Sequence, residues 1–569
     1  MNRNVESHFA LNPTNIDIRR STFDRSHSLK TSFNVGDIVP FFVDEVLPGD
    51  TFNVDTSKVV RLQTLLTPVM DNIYLDTYFF FVPNRLTWSH WKQFNGENTE
   101  SAWIPQTEYE IPQITAPASG GWSVGTIADY LGVPTGVPNL SVSALPFRAY
   151  ALVMNEWFRD ENLSDPLVVP VDDATVAGVN TGTFVTDVCK GGLPYKAAKY
   201  HDYFTSCLPS PQKGPDVTIP VAEAGNYAVV GNGKVLALTN GSVSGGLGVN
   251  NSQLFGPTSS IPVGSSVSVT GGEFTFSAGR YGVPTQAQLG NDLSNSGLVA
   301  VASGNAAAAT INQLRMAFQI QKLYEKDARG GSRYIEILKS HFGVTSPDAR
   351  LQRPEYLGGN RVPININQVV QQSATASGET AQGTVTGMSV TTDTHSDFTK
   401  SFTEHGFVIG VMVARYDHTY QQGLERFWSR KDRFDYYWPV FANIGEQAVK
   451  NKEIFAQGPA TKDSAGNVID DQVFGYQEAW ADYRYKPSRV TGEMRSQYAQ
   501  SLDVWHLADD YSALPVLSDS WIREDKTNVD RVLAVTSAVS NQLFADIYIK
   551  NRTTRPMPMY SIPGLIDHH

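Results

Sequence analysis

The chain has 569 residues, 41% of them hydrophobic and 11% aromatic, but only 18% charged, and it carries a net charge of −12. The length supplies ample apolar surface for a core. The acidic balance speaks against a generic nucleic-acid binder, which is normally basic, while leaving room for a local basic face. Two cysteines, Cys189 and Cys207, exclude a disulfide framework and point to a reducing compartment.

Residues Met1 to about Lys30 are polar, with Arg3, Arg19, Arg20, Arg25 and Lys30, and read as an extended arm. The opening MNRNVESHFALNP lacks the apolar stretch of a signal peptide. Strand-like runs follow: VGDIVPFFVDEV from Val35, DTFNVD from Asp50, VVRLQTLL from Val59 and NIYLDTYFFFVP from Asn72. Turn signals at Pro48-Gly49-Asp50 and Thr67-Pro68 separate them, and short strands at this spacing predict a β-sandwich. LTWSHWKQF from Leu86 reads as a short helix. LPFRAYALVMNEWFRDENL from Leu145 is a better one, since Tyr150, Met154, Trp157 and Phe158 recur at helical spacing. An irregular stretch rich in Pro and Gly then runs to Pro220.

The character changes abruptly between Ala222 and Asn305. Short Val/Leu/Phe runs are set in Gly, Ser, Asn and Thr, and the only charges are Lys234, Arg280, Glu223, Glu273 and Asp292. A glycine-rich β segment of this length reads as a surface module inserted into a host fold. Two helices come next, from Ile311 to Gly343, broken at Arg329-Gly330-Gly331-Ser332. Ile311, Leu314, Phe318 and Leu323 outline an apolar stripe on the first. From Phe402 β character returns with EHGFVIGVMVARYDHTY, and FADIYIKNRTTRP closes with a final strand and a basic stub. The apolar runs from Thr77 and Gly406 are too short to span a bilayer and read as buried strands, so no membrane insertion is expected.

Candidate chemistry is sparse. Cys189, His201 and Cys207 match no usual zinc spacing, and packed thiols are the simpler reading. His405, His418 and His506 lie among Glu404, Asp417 and Asp509 without any hydrolase, metalloprotease or phosphate-loop motif beside them. Gly245, Gly246 and Gly248 precede no helix and read as turns. Carboxylate pairs of the glycosidase kind arise by chance among 57 acidic residues. Basic residues near aromatics stand out more: Arg19, Arg20, Phe23 and Arg25 in the arm, and Lys550, Arg552 and Arg555 with Tyr548 and Tyr560 towards the other end. Cations for phosphates and aromatics for bases are what single-stranded nucleic acid requires. A solvated tail and a charged strand end are the plainer alternative.

Several segments, HFALNPTNIDIRRSTF from His8, VPFFVDEVLPGDTF from Val39, YFTSCLPSPQKGP from Tyr203 and above all LRMAFQIQKLYEKDARGGSRYIEILKSHFGVTSPDARLQRPEYLGG from Leu314, resemble the major capsid protein of the Microviridae, in its gokushovirus branch. The likeness runs from His8 to about Arg555. It implies a mainly β fold, an eight-stranded viral jelly roll with large loop insertions. On this reading 1–34 is an arm, 35–221 the first part of the jelly roll, 222–305 a protrusion at the three-fold axes, 306–401 a helical insertion with loops, and 402–569 the second part with the tail. The resemblance further implies a T=1 icosahedral virion built in the host bacterial cytoplasm, with no enzymatic site; the residues themselves suggest no cofactor and no metal site, and leave open a divalent ion between subunits. The implied partners are copies of the chain, a circular single-stranded DNA genome, a small basic DNA-packaging protein, a pilot protein, an internal scaffolding protein and a bacterial surface receptor. The charged helices suggest subunit contacts at Arg329 and Arg333. An adhesin with a glycine-rich β tip and a polysaccharide-active jelly-roll enzyme are the competing readings, and the long segment from Leu314 weighs against both.

Overall fold

The computed structural model describes residues 20–97, 107–215, 217, 311–331, 334–343, 352–373 and 381–560, together with the backbone of short strands between 228 and 301. The chain divides into two compact units, Met1–Lys213 with Glu325–His569, and Gly214–Tyr324.

The first unit is built on nine strands: β1 (Ser21–Asp24), β2 (His27–Phe33), β3 (Val39–Val46), β4 (Thr51–Leu62), β5 (Ile73–Pro83), β6 (Glu355–Pro363), β7 (Thr391–Ser401), β8 (Gly406–Tyr416) and β9 (Leu543–Arg555). They form two antiparallel sheets. In the first, β1 and β2 lie end to end along one side of β9, followed by β4 and β7. In the second the order is β6, β5, β8, β3. From β2 to β9 the chain changes sheet at every step except β5 to β6. Eight strand positions in two sheets four wide fit the double-sheet arrangement expected of a jelly roll.

The core between the sheets follows from the period-two pattern of the strands. In β4 the inward set includes Phe52, Val54, Val60 and Leu62, and in β9 it includes Leu543, Ala545, Ile547 and Ile549, all buried. Aromatic contacts tie the layers together: Phe79 meets Phe398 at 5.3 Å and Phe81 meets Phe402 at 4.7 Å between ring centroids. At Gly410 of β8 a Cβ would lie 2.9 Å from both Phe42 and Phe79, so only glycine lets the three strands close up here. Lys58 occupies an inward position of β4. Its ammonium lies 3.2 Å from Asp393 and donates to Thr56, whose hydroxyl donates to Asp397. A polar pin thus crosses the core beside β7.

A second core covers the outer face of the second sheet. Helix α1 (Leu145–Val153), Trp122 and Ile127 pack there against Phe80, Val82, Ile409, Val411 and Val413. With apolar partners on both faces, β5 and β8 are nearly continuous hydrophobic runs, which is why they stood out in the sequence. A third cluster around Phe204, Tyr420 and Phe474 organises the long connection between β8 and β9.

Three sequence readings change in detail. The segment 21–33 is extended as expected, but it is hydrogen-bonded into the first sheet along β9. The helix expected from Leu86 is two single turns, Asn84–Thr87 and Trp91–Phe94. They are separated at Trp88, whose buried indole donates to Asp173 at 2.6 Å. The segment 306–401, read as helices and loops, also carries β6 and β7. Its helices, α2 (Ile311–Gly330) and α3 (Tyr334–Phe342), end at Gly331 and Gly343, which take positive φ of 93° and 69°. Phe318 and Leu323 of the expected apolar stripe are 56% and 49% exposed.

In the second unit the backbone shows short antiparallel hairpins, Leu236–Leu238 with Leu247–Asn250 and Val267–Thr270 with Glu273–Phe276. Ala228–Gly231 pairs with Leu298–Val301, which brings the two ends of the glycine-rich stretch side by side.

Candidate nucleic-acid interface and its surroundings

Among the described residues the outer face of the first sheet is open. Along β9 exposed and buried residues alternate from Leu543 to Thr553, so that Phe544, Asp546, Tyr548, Lys550 and Arg552 all face outwards. Register fixes their neighbours. Tyr548 stands between Ser28 and Ser57, Lys550 beside Asp55, and Arg552 between Asp24 and Asn53. Tyr548 is 50% exposed. Lys550 makes a 3.4 Å ion pair with Asp55 at a half-exposed position, which contributes little in water. The exposed Asp24 carboxyl is held below the usual range by the Ser26 hydroxyl and N–H, and then by Arg552 and Lys550. The face therefore carries a tyrosine and two cations in a row on β9, with Asp55 and Asp24 beside the cations and serines beside the tyrosine.

The other expected DNA residues are placed differently. Arg19 lies outside the described residues, and Arg20 is exposed just ahead of β1. Phe23 pairs with the buried Thr553, so its ring lies on the opposite side of the sheet from Arg552. Arg25 donates two hydrogen bonds to Asp44, at 2.5 and 2.7 Å. Arg555 donates to the buried Asp50 carboxylate at 3.1 Å and to the Glu45 carbonyl at 2.7 Å. Arg25, between β1 and β2, is thus fastened to β3, and Arg555 fastens the end of β9 to β3 and to the turn that follows it. Tyr560 is 78% exposed. Arg329 at the end of α2 forms a forked ion pair with the buried Glu446, whereas Arg333 lies outside the described residues.

The histidines and cysteines separate. Cys189 packs in the second core and Cys207 in the third cluster, and burial pushes both thiols up. His405 meets the Trp91 ring at 5.5 Å. His506 receives the Ala508 N–H and donates to the Met494 carbonyl. His418 is the notable one. Its Nδ1 is 2.9 Å from Asp509 and its Nε2 is 3.1 Å from Glu524, so both nitrogens carry protons. Burial alone lowers its pKa, but the Glu524 and Asp509 carboxylates outweigh that and push it up to about 10. Asp509 moves the opposite way. Burial raises it, yet His418 and Lys199 bring it below the ordinary carboxylate range. This ion cluster joins the end of β8 to two later loops.

Sequence reasoning passed over a second such knot. Buried Asp76 of β5 receives Arg361 at 2.7 Å, Arg415 at 2.7 Å and the Tyr200 hydroxyl at 2.8 Å. Burial opposes its ionisation and these donors more than reverse it. Its signal was visible: a charged residue inside an apolar run, NIYLDTYFFFVP. Lys58 carried the same signal within the alternation of β4.

A family model described as capsid protein (F protein) matches residues 13–565. The chain belongs to the capsid protein (F protein) family. Within it, the chain is 44% identical to capsid protein VP1 of Chlamydia phage 1 over an alignment of 590 residues, covering 99% of this chain and 98% of that one. It is 42% identical to capsid protein VP1 of Bdellovibrio phage phiMH2K, with the same coverage, and 42% identical to that of Spiroplasma virus 4, with 96% of each chain covered. The gokushovirus likeness drawn from the Leu314 segment is thereby upheld, and the F protein family places the chain among phage capsid proteins. No helix among its described residues is long and apolar enough to cross a membrane.

Proposed function

We propose that this capsid protein forms, with copies of itself, a small icosahedral shell around a single-stranded DNA genome, and that the open face of the first sheet lines the interior. The row Tyr548, Lys550, Arg552 on β9 carries this reading. Cations there neutralise phosphates, and the tyrosine supplies a ring on which a base of any identity can stack. On a chain with a net charge of −12 the shell is otherwise acidic, which limits stray binding to nucleic acid outside it. The paired ends of the glycine-rich stretch, Ala228–Gly231 with Leu298–Val301, support a self-contained module. On this reading 222–305 projects at the three-fold axes and meets the bacterial receptor. Assembly in the host cytoplasm, aided by scaffolding, pilot and small basic packaging proteins, completes it.

Electron microscopy of the purified chain and nuclease-protection assays on particles test the proposal. Small isometric shells are expected. Replacing Lys550 and Arg552 by Gln should leave shells intact but release DNA at lower salt. Unchanged DNA retention, or a density map with β9 on the outer surface, overturns the inward orientation. Deleting 222–305 should spare the sandwich and abolish adsorption to the host; normal infection by the deletion particle refutes the attachment role.

A further inference from the structure

The connection between β8 and β9 contains FWSRKDRFDYYWPVF, from Phe427 to Phe441. Its side chains are turned away from the third cluster. Trp428, Phe434, Tyr436, Tyr437, Trp438 and Val440 are 67%, 59%, 51%, 45%, 51% and 85% exposed. Ring and guanidinium contacts link Phe434, Tyr436 and Tyr437 among them. Arg430 lies over the rings of Tyr436 and Tyr483, Tyr437 touches Tyr483 and Trp480, and Phe441 stacks on Trp480 and approaches Phe434.

The backbone beneath is held firmly, although it has only short 3-10 turns. Asp432 accepts the Phe434 N–H, and Asp435 accepts those of Lys431 and Asp432. Arg430 Nε donates to the Asp435 carbonyl, Trp438 Nε1 to the Arg433 carbonyl and Trp480 Nε1 to the Phe441 carbonyl. The loop's polar groups thus hold its shape while its aromatics face out. A surface ordered in advance loses little entropy on docking.

We infer that this aromatic platform is a contact between copies of the chain, buried when the shell closes. The inference rests on the shell reading above and names one of its interfaces. Area favours it. Half-exposed aromatics whose full burial is worth about 150–250 Å² each bring the platform to several hundred Å². That is at the upper end of what a monomer leaves open, where patches are often functional, and approaches the roughly 800 Å² that each partner contributes to a standard interface. Trp, Tyr and Arg are also the residues that anchor protein interfaces. Charge decides between protein and DNA as occupant. Arg430 pairs with Asp482, Lys486 and Arg489 share Glu425, and Lys431 and Arg433 are matched by Asp432 and Asp435. Those five cations face four carboxylates, so a single positive charge is left over, too little for a polyanion. Two copies that each carry −12 repel overall, and they approach best through an aromatic patch without negative surplus such as this one.

The test uses a cysteine probe in the full chain. Both native thiols are buried, so Val440→Cys provides a single reactive site. Val539→Cys, at an 81% exposed position in another loop, is the control. Maleimide labelling is compared in free subunits, empty shells and DNA-filled particles. The expected result is loss of labelling at Val440→Cys in both kinds of particle, with Val539→Cys still reactive. Equal labelling of Val440→Cys in subunits and particles overturns the inference while leaving the shell reading intact. Protection only in DNA-filled particles assigns the platform to the genome and also overturns it. A chain that forms no particles at all overturns the shell reading first and this inference with it. As an independent arm, Trp438→Glu should block assembly while the folded subunit keeps its thermal midpoint; normal shell yield from a folded Trp438→Glu subunit refutes the contact.

Discussion

Along β9 of the first sheet, buried and exposed residues alternate from Leu543 to Thr553; along β8 of the second, nine of eleven residues are buried. The two strands have the same backbone geometry and line the same core. They differ in what covers the outer face: α1 and the second core over β8, and nothing over β9 among the described residues of the first unit. A covered face is committed to the fold, so its residues answer only to packing. An open face is free to carry function, and there Tyr548, Lys550 and Arg552 stand in a row.

Substitutions on the two outer faces should break this comparison most sharply. Val411→Asp places a carboxylate in the second core, and it should cost more than about 4 kcal/mol or abolish soluble expression. Tyr548→Asp on the open face should shift stability by no more than about 0.5 kcal/mol. Urea unfolding of the pair provides the measurement, and comparable losses would mean that both faces are structural. The polar pin comes next. Lys58→Ala removes the charge partner of Asp393 and leaves it, among the described residues, only the Asn360 amide; it should cost about 3 kcal/mol, with much of it regained by Lys58→Met combined with Asp393→Asn.

Sequence alone gave ready access to β3, β4, β5, β8 and β9, because each buries apolar side chains in alternation or in an unbroken run. It missed β1 and β2, which pair with β9 largely through their backbones and bear Thr22, Asp24, Ser28 and Lys30 outwards. It missed β7 because inward or edge positions there hold Asp393 and Asp397, the partners of the Lys58 pin, where a strand pattern calls for apolar residues. Of the nucleic-acid candidates, Lys550 and Arg552 face the open side as a cation cluster requires. That Arg25 and Arg555 have carboxylate partners far away in the chain could not be read from local spacing.

A smaller effect is expected of pH. The folded pKa of His418, about 10, lies above its unfolded value of about 6.5. Its stabilisation is therefore complete below about pH 6.5 and falls away as pH rises towards 10. Thermal melts should show a midpoint that declines across this window, and His418→Gln should flatten that decline while lowering the midpoint at pH 7. A His418→Gln slope equal to that of the parent would assign the alkaline loss to other groups. Smallest in stability terms are Lys550→Gln and Arg552→Gln on the open face, which should stay within about 0.5 kcal/mol. Their effect belongs to DNA, where each lost cation should reduce the log–log salt dependence of binding by about 0.7.

The position of β9 has a consequence for synthesis. Strands β1, β2 and β4 all hydrogen-bond to it, yet its residues, 543–555, emerge from the ribosome hundreds of residues after theirs. Until then the first sheet has a gap at its centre, and β4 offers an unpaired edge. A polypeptide truncated before Leu543 lacks the strand that fills that gap and leaves the first sheet unclosed. Closure of the sandwich therefore waits on completion of the chain.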